Sequence, residues 1–122
     1  MTSLWLRRAY DAPGQSDGQR ILVDRLWPRG VSKDALKLEE WAKEVAPSDA
    51  LRDWFGHDAA RWDEFTQRYT KELDANPEAV EALRDRLAKG RVTLVYAAKD
   101  TAHNNAIALK AYLEKRQASG TK

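Results

Sequence analysis

Two short runs in this chain carry apolar side chains on both of their faces. In residues 20–27, Ile21, Val23 and Trp27 alternate with Leu22 and Leu26. Residues 92–98, VTLVYAA, are built the same way. A strand with one wet face shows polar residues at every second position. A strand apolar on both faces is covered on both sides, as in a parallel sheet. Residues 4–10, LWLRRAY, read as another strand, with Leu4, Leu6 and Tyr10 alternating against Trp5 and Ala9. Parallel strands cannot be joined by hairpins and normally need helical crossovers.

The intervening sequence supplies those helices. Ser32 is placed to cap a helix with Val31 stapled on Leu36, and Leu38, Trp41, Ala42 and Val45 continue at helical spacing before Pro47. Ser48 and Gly56 bracket a short helix carrying Leu51, Trp54 and Phe55. The clearest helical stripe is Trp62, Phe65, Tyr69 and Leu73, within residues 59–75. Asn76 and Pro77 start the next helix, which stops at Gly90. A last helix spans about residues 105–116. The expected fold is α/β. A small, mainly parallel, three-stranded sheet is flanked by helices in a Rossmann-like three-layer arrangement. It forms one domain over residues 1–116, with a frayed tail at 117–122.

Composition excludes several functions. The absence of cysteine removes disulfides, thiolate nucleophiles and thiolate metal sites. The net charge of +2 is too balanced for a general nucleic-acid coat. No apolar run reaches the roughly 18 residues of a membrane span, and the N-terminus lacks the pattern of a signal peptide, so a cytoplasmic protein is expected. The two histidines show no HxxxH or HxH spacing, and there is no GxGxxG, GxxxxGK[ST] or GxSxG. Neither a metal nor a cofactor is expected.

In open α/β sheets, ligands bind beyond the carboxyl ends of the strands. That rule gathers Asp24, Arg25, Trp27 and Arg29 from one strand end, and Tyr96, Lys99, His103 and Asn104 from another. Arg25 and Arg29 suit a phosphate or carboxylate, with Lys99 and the N-terminus of the last helix, near Asn104, adding positive potential. Trp27 or Tyr96 offers a flat face. His103 is the natural proton shuttle, with Asp24 as an alternative base. Each has a plainer reading. Asp24 with Arg25 and Lys99 with Asp100 serve equally well as structural ion pairs. Asp100 or Thr101 serves as a helix cap, and His57 as a surface turn residue. Trp41, Trp54 and Trp62 belong to the core.

Three segments together resemble one family. VDRLWPRG, APSDALRDWFGHDAARWDEFTQRYTKEL and VTLVYAAKDTAHNNA are similar, in that order, to the domain of unknown function 488 family in its short YeaO-like branch, over about residues 5–115. The resemblance implies a compact α/β protein. Longer relatives carry a VDVR-like strand end, matched by Val23-Asp24-Arg25, and a Cys-His-Arg motif after the last strand; some are labelled as DNA-repair proteins. The corresponding segment here is Ala102-His103-Asn104, which keeps only the histidine. The thiol chemistry of those relatives has no cysteine to rest on here, and His103 is the one member of the motif carried over.

The favoured function is binding of a small anionic, phosphate- or nucleotide-like ligand at the strand ends, with or without acid–base chemistry. Two alternatives compete. One is a single-stranded nucleic-acid-binding or DNA-repair-associated module using Arg20, Arg25, Arg29 and Lys99 on phosphates and Trp27 for stacking. The other is a non-enzymatic protein-interaction module whose strand-end residues only hold loops together.

Overall fold

The two runs apolar on both faces become the two inner strands of the sheet. A computed structural model describes residues 4–120, with side chains described through residue 115; the side chains of the expected tail at 117–122 lie outside it. Strands β1 (Leu4–Arg8), β2 (Gln19–Leu22), β3 (Glu40–Trp41) and β4 (Val92–Tyr96) form one sheet in the order β1-β4-β2-β3. All pairings are parallel: Leu6 stands opposite Leu94, Ile21 opposite Leu94, and Leu22 opposite Trp41. The sheet has four strands rather than three. The helices are α1 (Lys33–Leu36), α2 (Asp49–Phe55), α3 (Trp62–Asp74), α4 (Pro77–Lys89) and α5 (Asn105–Gly120).

The additional strand comes from the stretch whose spacing suggested a helix. Ser32 does cap α1, its hydroxyl accepting from Ala35 N, but Lys37 enters the left-handed region at φ 50° and ends the helix after one turn. Glu39 N then donates to Arg20 O and Ala42 N to Leu22 O, docking β3 on β2. Trp41 faces one apolar cluster and Ala42 the other. Apolar residues divided between two cores gave a helical spacing to a chain that alternates as a strand.

The two faces of the sheet are covered unequally. Ile21, Val23, Val92, Leu94 and Tyr96 belong to a large cluster fed by α2, α3, α4 and α5. Leu22 and Val95 point to a smaller one, covered by Leu36 of the one-turn α1 and by Trp27, Val31, Leu38 and Trp41. The expected helical layer on this second face is thus a single turn plus loop residues. The caps expected for α2 hold: Ser48 Oγ accepts from Leu51 N, and Gly56 closes the helix at φ 53°.

The β1–β2 connection, residues 9–18, returns along the sheet without a helix. It is held by Asp17, which is 5% exposed. Asp17 Oδ1 accepts from Arg7 Nε and Nη2 of β1 at 3.1 and 2.9 Å. Its Oδ2 accepts from Arg20 Nη1 of β2 at 2.6 Å and from Gly14 N at 2.9 Å. Its carbonyl accepts from Thr93 Oγ1 of β4. Gly18 follows at φ 68°, and a Cβ there would sit 2.6 Å from Arg91 O, so only glycine fits the re-entry into β2.

Candidate functional site

Beyond the carboxyl ends of the strands lies a mainly apolar cleft of about 280 Å³. Its size and lining are those of a small-molecule site. The first wall is the turn after β2. Asp24 is clamped there from both sides: its Oδ2 accepts from Ala97 N at 2.9 Å, and its carbonyl accepts from Trp41 Nε1 at 2.7 Å. Trp27 donates through Nε1 to Val31 O at 2.6 Å and meets Trp41 edge to face at 5.3 Å, leaving part of its ring on the cleft.

The second wall is α2 and the turn after it. Arg52, Phe55 and His57 line the cleft from this side. His57 follows Gly56 with a left-handed backbone of its own, φ 59°, which turns it back towards the strand ends. The third wall is the start of α5. Asn104, 2% exposed, caps that helix by accepting from Ile107 N at 2.9 Å and ties the preceding turn by donating to Asp100 O. Neither Asp100 nor Thr101 is the cap. Asn105 Nδ2 donates to Val23 O, joining the third wall to the first.

The arginines expected at the site have different surroundings. Arg25 lines the cleft but lies across the chain at the entry to α2, donating to Pro47 O and Ala46 O at 3.2 Å each, with Asp49 at 3.7 Å. It does not pair with Asp24. Arg29 is exposed at the rim, and its guanidinium has no hydrogen bond or ion pair among the described residues. Arg20 is 5% exposed and committed to Asp17, which removes it from any surface that could grip phosphates.

Three expected members fall outside the cleft. Tyr96 is 4% exposed in the large core and offers no free face. Lys99 is exposed, pairs with no acid among the described residues, and does not line the cleft. His103 sits in a self-contained turn. Its Nδ1 lies 3.0 Å from Asp100 Oδ2, and its ring meets Trp62 edge to face at 5.3 Å. The Ala102 N–H, His103 and the His103 N–H hold the Asp100 carboxyl below its usual range. An ionised carboxylate only accepts, so Nδ1 carries the hydrogen. His103 and Asp24 are therefore not brought together as a proton-transfer pair on the cleft.

Arg52 and His57 take the places that sequence reasoning assigned elsewhere. A signal for Arg52 was present: it precedes Phe55 by three residues on α2, so both share a helix face. His57 carried no such signal, because a turn residue's direction depends on its φ. Among the described residues there is no group of three or more metal-ligating side chains, and no helix long and apolar enough to cross a membrane.

Among the described residues Asp24 is the only acid lining the cleft, and burial pushes its carboxyl above the usual range. The Ala97 N–H, the Asn105 amide and the charges of His57 and Arg52 only partly offset this. Its Oδ1 is shielded from solvent and makes no hydrogen bond of its own, because the neighbouring Asn105 Nδ2 donates to Val23 O. A raised folded-state pKa means the native state holds its proton longer than the unfolded chain. Stability therefore falls as pH rises from the ordinary carboxylate range through the raised value, and the loss persists above it. Asp24→Asn should remove that fall and be at least as stable as the wild type at pH 7. Urea unfolding from pH 3.5 to 7.5 measures it; an unchanged pH profile would show that Asp24 is not the group responsible.

The family model described as the inactive DUF488-N3 subclade matches residues 3–121. The chain is 44% identical over 107 residues to the uncharacterized protein YeaO of Escherichia coli, covering 88% of this chain and 93% of that protein. It is 40% identical over 115 residues to the uncharacterized protein Rv3073c of Mycobacterium tuberculosis, covering 94% and 97%. No solved structure matches. With a family model matching almost end to end, and relatives of this identity matching over nearly their full length, the chain belongs to the domain of unknown function 488 family and is YeaO-like.

Proposed function

We propose that the chain binds a small organic anion in the strand-end cleft and holds it without transforming it. The observation that carries this reading is the lining. Among the described residues, Arg25, Arg29, Arg52 and His57 stand around a mainly apolar cavity with a single acid, and Arg29 has no carboxylate partner. The apolar surfaces of Phe55, Trp27 and Pro47 suit a flat or aliphatic body, and the start of α5 adds the positive end of a helix dipole. Two further points support binding over catalysis. His103 faces Trp62 and Asp100 instead of the cleft, and the matching family model carries the description inactive.

Thermal unfolding against phosphate, phenyl phosphate, benzoate and nucleotides tests this. A ligand at 100 times its Kd stabilises the fold by about 2.7 kcal/mol. At roughly 3–5 °C per kcal/mol for a domain of this size, the midpoint should rise by roughly 8–13 °C. Arg29→Ala should weaken binding about tenfold or more, since hydrogen bonds to charged groups contribute about 1.5–3 kcal/mol. It should leave the unliganded midpoint unchanged. Arg25→Ala should instead lower that midpoint, because Arg25 ties the β2 end to the Ala46 and Pro47 carbonyls. The reading fails if no anion shifts the midpoint, or if Arg29→Ala binds like the wild type.

A further inference from the structure

The cleft wall contains two polar atoms of opposite kind that the protein leaves unsatisfied. Asp24 Oδ1, an acceptor, and Arg52 Nη1, a donor, are both shielded from solvent and both without a hydrogen bond. Native proteins leave few such groups, and each one calls for a physical reason. The two do not satisfy one another. Arg52 turns to the acids of its own helix, with Nη1 3.4 Å from Asp49 and Nη2 3.7 Å from Asp53. Asp24 spends its other oxygen on Ala97 N.

A plain anion would satisfy Arg52 and the rim arginine but would set a like charge beside the one acid of the cleft. A plain cation would satisfy Asp24 but would meet three arginines. Resting on the anion-binding reading above, we infer that the ligand is an organic anion that also carries an amide-, urea- or lactam-type N–H, which donates to Asp24 while the anionic group meets Arg52 and Arg29. Both orphan atoms are covered when the cleft is empty, so engagement turns the Asp24 and Arg52 side chains about their own torsions towards the ligand. The Arg52 side chain, 40% exposed, has room to do so. Asp24 is then a specificity residue: it rejects anions that bring no donor.

A matched pair of probes tests this on the full chain. Benzoate has the anion and the ring; 3-ureidobenzoate adds N–H donors. Titration calorimetry at pH 7 should show the ureido compound binding the wild type at least tenfold more tightly. Asp24→Asn keeps an oxygen for Ala97 N and places an NH₂ where Oδ1 stood. It should reduce that preference below threefold while benzoate binds as well or better. Arg52→Gln, on a more exposed side chain, should weaken both probes together about tenfold and keep the preference. Equal binding of both probes by the wild type would overturn the inference and leave the anion site standing. So would a preference that survives Asp24→Asn. If benzoate, phenyl phosphate and 3-ureidobenzoate all fail to bind, the anion site itself is overturned, and the inference with it.

Discussion

Asp17→Ala is expected to lower the unfolding midpoint by roughly 10–20 °C, as removing one partner of a buried ion pair costs about 3–5 kcal/mol. Asp17 is the carboxylate partner of both Arg20 and Arg7, and Arg20 is 5% exposed. Arg20 Nη2 already has no partner, so losing Asp17 leaves its buried charge held only by the Leu36 carbonyl. The same side chain fastens the helix-free β1–β2 crossover, so the loss is both electrostatic and topological. Replacing the pair together, Asp17→Leu with Arg20→Met, should recover much of the stability, because an apolar pair needs no compensation. A single-variant loss under about 1 kcal/mol, a surface-pair value, would refute the hub.

The acid limb of the stability curve gives a second readout. Burial alone would raise the Asp17 carboxyl, but the Gly14 N–H, Arg7 and Arg20 outweigh it and hold it below the usual range. A depressed folded-state pKa stabilises the native state above the ordinary carboxylate range. That contribution is lost as pH falls through the depressed value. Asp17→Ala should therefore flatten the acid side of the profile, the opposite limb from the one Asp24→Asn flattens.

Phe65→Ala should cost about 3–5 kcal/mol, the usual range for removing a buried aromatic side chain. Phe65 is 2% exposed and central to an aromatic chain. It stacks on Phe55 at 4.4 Å and lies 5.6 Å from Trp62 and 5.7 Å from Tyr69. Tyr69 in turn donates to the Val45 carbonyl, joining α3 to the turn before α2. Phe65 also lines the cleft, so truncation opens its floor to the interior. Phe65→Leu keeps most of the volume and should cost roughly 1 kcal/mol, in line with near-isosteric core swaps. Guanidinium unfolding followed by tryptophan emission would report both variants. Equal losses for Ala and Leu would mean that shape at this ring, rather than filled volume, governs the packing.

The strand-end rule alone brings Asp24, Arg25, Trp27, Arg29 and Asn104 to one edge of the sheet, where all five line the cleft, because it depends only on where parallel strands stop. It could not separate Arg29, whose guanidinium has no partner among the described residues, from Arg25, which lies on two carbonyls. Two arginines four residues apart in one turn differ in direction by torsions that no composition encodes. His103 was misplaced for the same reason. A histidine near a helix N-terminus can face the sheet edge or the neighbouring helix, and Trp62 with Asp100 decides for the helix.

The parallel α/β class, the two inner strands, the caps at Ser32, Ser48 and Gly56, and the helix start at Asn76 and Pro77 are all legible in the amino-acid order. Those features follow from local periodicity and backbone preference, which act within a few residues. The folded chain alone reveals that Glu40–Trp41 is a strand, that Asp17 binds three strands together, and that Arg52 and His57 line the same cleft as Asp24. Those outcomes rest on contacts between residues far apart in the chain. Burial and pairing there outweigh local preferences worth only tenths of a kcal/mol to about 1 kcal/mol per residue.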